Sequence, residues 1–510
     1  MKRIAVITVI SSAVLLMPAV AGAQQKARKG EEAPKTETDL LLEKAEGSDA
    51  PLVITLDQAL QIALSENVSV KIADKEIERT EYAKKGTYAS LYPQIDVSGA
   101  YQRTIKKQVM YMDIDMGAMG GGAGAGSGSD TGSGSEGGAD TGSDNGGAAA
   151  GGSQESPMAN GLEVGRWNTW SAGVTAAMPI VNAQLWKSLK ISGLDVELAV
   201  EKARSSRLDM VTQVKNAYYA TLMAKEAFDV YKEVYENAMR NYEETQKKYD
   251  AQKVSEFELV RAKTTVANAV PQVYSAESSV ILSLWQLKAV MGVDLDLNID
   301  VAGSLEDFAE HMFYDIHSHD SVSLADNSTM RQLALQAEQL AENIKLQKYA
   351  NIPTLAVAFN FSVNAMTNDF KFSNYRWTPY SYVGLSLSIP IFAGGKRYNA
   401  IRQAKNTYEQ IQLQTVDTER QLKILIRQSL NTMETNMKSY YAAEDAVSSA
   451  QKAYDIAERS YQVGRSTLLE LNDAQLALTQ ARLSQSQAVY NFVVAKAQLE
   501  QTLGYDFIEE

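Results

Sequence analysis

The sequence predicts a mixed membrane fold, a β-barrel joined to an α-helical barrel, with four strands and long coiled-coil-like helices in each protomer. Three observations carry that prediction. Four short segments alternate apolar residues with small or polar ones, helical runs continue for tens of residues without glycine or proline, and the order of these elements occurs twice, as in an internal duplication.

The chain opens with Met1, Lys2 and Arg3, an apolar run from Ile4 to Val20, and the small residues Ala21, Gly22 and Ala23. This is the layout of a cleaved secretory signal over 1–23, and the run is short of the ~20 apolar residues a spanning helix wants. A polar segment, 24–50, follows. The absence of cysteine excludes a lipid-modified N-terminus and a disulfide framework. No long apolar stretch recurs, so a mature form that lives in a membrane has to span it as a closed β-barrel, which leaves no backbone group unpaired. The net charge of −13 becomes −15 once Lys2 and Arg3 leave with the signal, which argues against a nucleic-acid partner.

Two repeats are expected, over 51–292 and 321–504, joined by a connector at 293–320 and followed by a tail at 505–510. Each reads helix, strand, strand, long helix, return helix. At a single offset Leu64 matches Leu324, Asn67 matches Asn327, Pro93 matches Pro353 and Val97 matches Val357; farther on, Tyr249 to Gly292 runs without a gap against Tyr461 to Gly504. In the first repeat Leu56 to Ala89 has helical periodicity and stops before Tyr92 and Pro93. Strands are expected at about 94–108 and 167–180. Ile95, Val97, Gly99 and Tyr101 alternate with Asp96, Ser98, Ala100 and Gln102, and Trp170, Ala172, Val174, Ala176 and Met178 alternate with Thr169, Ser171, Gly173 and Thr175. The second repeat places strands at about 353–366 and 378–391, with Val383, Leu385, Leu387 and Ile389 facing away from Tyr382, Gly384, Ser386 and Ser388.

Apolar-out, polar-in alternation suits a barrel stave with lipid on one side and water on the other; a half-buried strand in a soluble sheet would alternate in the same way. Two features favour the barrel. Trp167, Trp170, Trp377, Tyr380 and Tyr382 cluster at strand starts, where an interfacial aromatic girdle would stand. The first hairpin also carries a connection, 116–152, made almost entirely of Gly, Ala, Ser and acidic residues, which cannot bury a core and suits an extracellular loop. Its acids lack the nine-residue spacing of a calcium repeat.

Leu194 to Val270, Lys396 to Val463 and Arg465 to Leu503 contain neither glycine nor proline. A helix of roughly 66 residues reaches about 100 Å, and its stripe of alanine and small polar residues wants lateral neighbours in a coiled-coil-like array. A solitary periplasmic rod would satisfy this feature alone. Two hairpins give four strands, whereas transmembrane barrels begin at about 8, so the protomer has to associate. Two copies make a barrel filled by its own side chains; three make a trimeric 12-stranded barrel with room for a channel.

The ordered set, from Leu56, Asp57, Gln58, Ala59 and Leu60 through Pro179 and Ile180, then Pro390 to Gly395, then Tyr461 to Gln475, resembles the TolC-like outer membrane efflux protein family. The resemblance covers roughly Thr55 to Gly504. It implies a homotrimer in outer-membrane lipid, extending into the periplasm, that gives substrates a passive exit duct in a tripartite efflux or type I secretion system. The implied partners are a periplasmic adaptor (membrane fusion protein) and an inner-membrane pump. It also implies a periplasmic gate at the helix turns, where Tyr461 matches the family's gate tyrosine, Glu470 and Asp473 its paired acidic ring, and Glu258 the corresponding acid of the first repeat. Arg465 adjoins Gly464, whereas the family arginine stands two residues after that glycine, where this chain has Ser466. Physically, Glu470 and Asp473 are three apart and share a helix face. Facing a three-fold pore they would attract cations and raise one another's pKa values; at a helix start they would simply suit the dipole.

No phosphate loop, nucleophile elbow or Ser/His/Asp set is present, so no enzyme is expected, and no cofactor. His311, His317 and His319 lie close together, but no second ligand cluster completes a metal site. The rival to an export duct is a structural or adhesive envelope protein displaying its loop on a coiled-coil stalk, which leaves the two amphipathic hairpins unexplained.

Overall fold

The computed structural model describes residues 51–110, 162–309 and 323–505. The signal peptide, the polar segment, the 116–152 loop, the three histidines of the connector and most of the tail lie outside the described residues. The chain divides into a helical unit (through 88, 186–350 and from 392) and a sheet unit (89–185 and 351–391).

The helical unit begins with β1 (Leu52–Ile54), which pairs in parallel with β6 (Ile299–Val301). Thr55 then caps α1 (Leu56–Glu66) with a reciprocal capping box to Gln58, satisfying two orphan backbone donors. The expected single helix from Leu56 to Ala89 is in fact two, because Asn67 is extended (ψ 127°) between α1 and α2 (Val68–Ala89). The Asn67 amide donates to Val290 O at 2.6 Å, and its Oδ1 accepts from Ser69 N at 2.7 Å, so one side chain replaces the hydrogen bonds that the break gives up.

Next come α3 (Ala183–Asp250, 68 residues), α4 (Glu256–Met291), the short α5 (Glu306–Ala309), α6 (Ser328–Tyr349), α7 (Lys396–Gln462, 67 residues) and α8 (Leu468–Leu503). At ~1.5 Å per residue α3 and α7 are each about 100 Å long. Helix α3 starts before the glycine-free run and passes through Gly193. The joint at Asn67 recurs at Asn327, which caps α6 through Met330 N at 2.9 Å and donates to Thr502 O at 2.6 Å. Beside each asparagine a left-handed glycine ends a return helix. A Cβ at Gly504 would lie 2.2 Å from Asp326 O, and one at Gly292 3.0 Å from the Asn67 Cα, so these approaches admit no side chain. The core gathers Ile54, Ile62, Leu222, Leu287, Met433 and Phe492, drawn from β1, α1, α3, α4, α7 and α8. Into it the buried Tyr218 donates to Ala302 O at 2.6 Å, and burial pushes its phenol up to about 12. No helix among the described residues is long and apolar enough to cross a membrane.

The sheet unit is four antiparallel strands in the order β2 (Gln94–Arg103), β5 (Asn168–Val181), β7 (Thr354–Thr367), β8 (Thr378–Ser388). Strand β2 stops at Arg103 rather than near 108: Thr104 N makes the last bond across, to Trp167 O at 2.8 Å, and the hairpin resumes as a short ladder between β3 (Gln108–Met110) and β4 (Leu162–Val164). Strand β8 ends at Ser388 rather than 391, just ahead of Pro390, which has no N–H to offer. Registers Val97↔Val174, Val174↔Phe361 and Phe359↔Val383 put the apolar residues of all four strands on one face. That face is bare: Val97 is 79% exposed, Val383 72% and Leu385 71%.

Candidate functional site

Two helical turns carry the residues matched to a gate. The turn from α7 to α8 is built on Gly464, whose left-handed backbone (φ 76°) lets Arg465 N reach back to Ser460 O at 2.8 Å. The turn from α3 to α4 has the same form, with Lys253 N bonded to Lys248 O at 2.8 Å. Its left-handed position holds Gln252 (φ 57°), the one non-glycine residue with positive φ among the described residues. Ser255 and Thr467 then cap α4 and α8 by accepting from Glu258 N and Glu470 N.

Tyr461 is buried where α7 meets α3. Thr245, fully buried, donates its hydroxyl to Asn241 O at 2.7 Å, so the Tyr461 phenol donates to Thr245 Oγ1, also at 2.7 Å. The Lys248 ammonium donates to Tyr461 O at 3.3 Å and stands 4.5 Å from its ring centroid. Burial raises the phenol's pKa, with the Thr245 hydrogen bond offsetting part of the rise. Thr245 and Lys248 escaped the sequence reading. Their signal was Asn237, Asn241 and Thr245 at four-residue spacing, a buried polar stripe on α3.

The acids behave differently from one another. Glu470 accepts from Thr467 N at 3.0 Å and from the Ser466 hydroxyl, completing its own helix's capping box. The Ser466 hydrogen bond leads in lowering its pKa, opposite to the rise that neighbouring carboxylates would cause. Within one protomer Glu470 therefore serves the start of α8. Asp473 is exposed one turn on, Glu258 is half-buried, and Arg465 is exposed with no ion pair among the described residues. Above the turns, a groove of about 900 Å³ opens between α3, α4, α7 and α8, with Asn268, Gln272, Asn472, Gln475 and Thr479 on its walls and no charged side chain among its lining. It offers hydrogen bonds but no ligand set for a metal, and no cluster of metal-binding residues occurs among the described residues.

In the sheet unit the aromatic residues split. Trp170 lies on the apolar face, with Tyr101 at 4.4 Å and Phe372, from the β7–β8 connection, at 5.1 Å between ring centroids. The register Val363↔Pro379 sends Tyr380 and Tyr382 to the opposite, polar face, where their rings are 5.7 Å apart. They cannot share a lipid-facing girdle with Trp170, because adjacent residues of a strand point to opposite sides. Trp167 and Trp377 precede their strands and are exposed, Trp167 beneath the Lys107 ammonium at 4.9 Å.

The family model described as outer membrane efflux protein matches residues 146–293 and 321–505. The outer membrane protein TolC of Vibrio cholerae is 21% identical over 341 residues, 66% of this chain and 76% of that protein. The alkaline protease secretion protein AprF of Pseudomonas aeruginosa is 20% identical over 335 residues, 65% of this chain and 69% of its own length. Among solved structures, the Campylobacter jejuni CmeC outer membrane channel superposes with a TM-score of 0.63 at 16% identity, covering 95% of this chain and 92% of that one.

Proposed function

Because the chain belongs to the outer membrane efflux protein family, we propose that three copies close a twelve-stranded barrel and that the turn at Tyr461 gates it at the periplasmic end. The protein is an outer-membrane channel for efflux or type I secretion. The observation that carries the trimer is the sheet itself: β2 and β8 are both edge strands with a half-unpaired ladder, and one face is bare and apolar. Such edges invite pairing with another chain, and such a face belongs against lipid. Four strands are too few to close, since membrane barrels begin at about 8, and three copies are the smallest closed set that leaves a lumen.

The gate rests on Tyr461 tying α7 to α3 beside the turns through a hydrogen bond to Thr245, a hydrogen bond and a cation–π contact from Lys248, and a small apolar cluster with Tyr242, Leu468 and Leu471. A periplasmic adaptor would dock on the helical unit and bring the inner-membrane pump into line, as AprF's name as a secretion protein and the family's as efflux proteins support. A coiled-coil stalk without a conduit would leave the bare sheet face without a role.

The experiment is purification in detergent followed by planar-bilayer recording. A heat-resistant band at three times the protomer mass and unitary currents are expected. A monomer soluble without detergent that carries no current would overturn the proposal.

A further inference from the structure

One end of the helical unit repeats the same pair of side chains four times. Helices α2, α3, α6 and α7 each lead into or out of a strand of the sheet, and each carries an aromatic ring within four residues of that end, with a cation four residues farther from the strand. The pairs are Tyr88 with Lys84, Trp186 with Lys190, Tyr349 with Lys345, and Tyr398 with Arg402. Residues four apart share a helix face, so each ring stands about 6 Å along the axis from its cation, on the strand side. Trp186 is 54% exposed and Tyr398 60%. Exposed rings with Lys or Arg reaching past them are the anchors of a boundary between hydrocarbon and headgroups.

The four ends form one continuous edge. The Thr87 and Ser192 hydroxyls are 3.0 Å apart between α2 and α3, Lys190 reaches Glu338 at 3.1 Å between α3 and α6, and α6 packs along α7. Over 80–89, 183–193, 338–350 and 396–406 this edge holds ten Lys and Arg against three Glu, in a chain whose net charge is −13, so the positive excess is local to it. Helix α7 begins here with no acid in its first turn, and Lys396 and Arg397 stand against its dipole, an arrangement that an anion from outside the helix would relieve. At the centre of the edge is the buried Glu342. Its Oε1 accepts from Lys190 at 3.0 Å and from Lys345 at 2.8 Å, while its Oε2 accepts from Lys187 at 2.9 Å. One carboxylate thus holds two half-exposed ammonium groups, those of Lys190 and Lys345, side by side on neighbouring helices.

We propose that this edge binds the anionic headgroups of phospholipid in the leaflet facing the periplasm, with each ring at the hydrocarbon boundary, each cation at a headgroup phosphate, and Lys190 and Lys345 sharing one phosphodiester. This rests on the proposed barrel, since strands that cross the membrane bring the helix ends joined to them to its surface. Charge complementarity selects the occupant. A zwitterionic headgroup brings its own cation, whereas phosphatidylglycerol leaves the phosphate charge open to the protein.

The full chain in detergent, challenged with equal phosphatidylglycerol and phosphatidylethanolamine, is read by native mass spectrometry. The wild type should retain phosphatidylglycerol at least about fivefold over phosphatidylethanolamine, and Lys84→Gln with Arg402→Gln and Lys405→Gln should lower that preference at least about threefold. Lys247→Gln with Lys253→Gln and Lys263→Gln removes the same charge around the α3–α4 turn and should leave the preference unchanged. No preference in the wild type, a preference that the first variant keeps, or an equal loss in both variants overturns this inference alone, because unitary currents decide the duct independently. A chain that stays monomeric without detergent and retains neither lipid overturns the barrel and this inference with it.

Discussion

At the scale of single residues, two side chains hold more than their surroundings suggest. The Tyr461 phenol is the only donor to Thr245 Oγ1 among the described residues, so Tyr461→Phe leaves that oxygen unmatched in a fully buried place. Losing the bond costs about 1 kcal/mol, which would move a closed-to-open equilibrium roughly fivefold. Higher open probability in single-channel records, with the oligomer intact, is the expected result; unchanged gating would show that this tie is not part of the latch. The second residue is Glu342 on α6, 2% exposed and gripped by Lys187 at 2.9 Å, Lys190 at 3.0 Å and Lys345 at 2.8 Å. Hydrogen bonds from Lys345 first, then Lys187, pull its carboxyl from an ordinary 4.5 to about 2. Folding is then favoured by the depressed value wherever the unfolded carboxyl is ionised. The contribution is whole above about pH 4.5 and drains away as pH falls toward 2. Glu342→Gln should cost about 2 kcal/mol at neutral pH, below the full penalty for a broken buried pair because the lysines reach water. Thermal melts of the variant should lose the wild type's decline between those pH values; a parallel decline in both would assign it to other carboxylates.

At the scale of elements, the two turns pose one backbone problem with two solutions. Gly464 adopts φ 76° with open space around its missing Cβ, so Gly464→Ala tests conformational strain alone and should cost about 1–2 kcal/mol. Gln252 already bears that strain at φ 57°; Gln252→Gly relieves it but frees the unfolded chain by a similar amount, so stability should change by less than about 0.5 kcal/mol. Melting temperatures of the two variants check the pair, and equal losses would mean that the Gln252 side chain holds its turn together. These elements also show what could be read in advance. Gly464 and the caps at Ser255 and Thr467 are local signals, visible in the text. The break at Asn67 was not, because beside its local bond from Ser69 N the Asn67 amide is held by Val290 O, 223 residues away in the chain.

At the scale of the whole molecule, the proposed three-fold assembly would decide what the acids do. In one protomer Glu470 is occupied with its own helix start and Asp473 is free at the surface; only a closed ring of copies would bring six such carboxylates together. Glu470→Ala with Asp473→Ala should therefore weaken block of the open pore by divalent cations. Unchanged block would leave both acids with local duties alone. The sequence by itself determined the duplicated order of elements, the amphipathic strands, the long helices and the position of the second turn, since each follows from periodicity, glycine and caps within a short window. Tertiary structure alone decided which residues meet. It brought Tyr461 to Thr245, closed Lys187 and Lys190 on Glu342, and set Tyr382 on the face away from Trp170. Such partners lie far apart in the chain, and their pairing depends on strand register and helix packing, which no local pattern encodes.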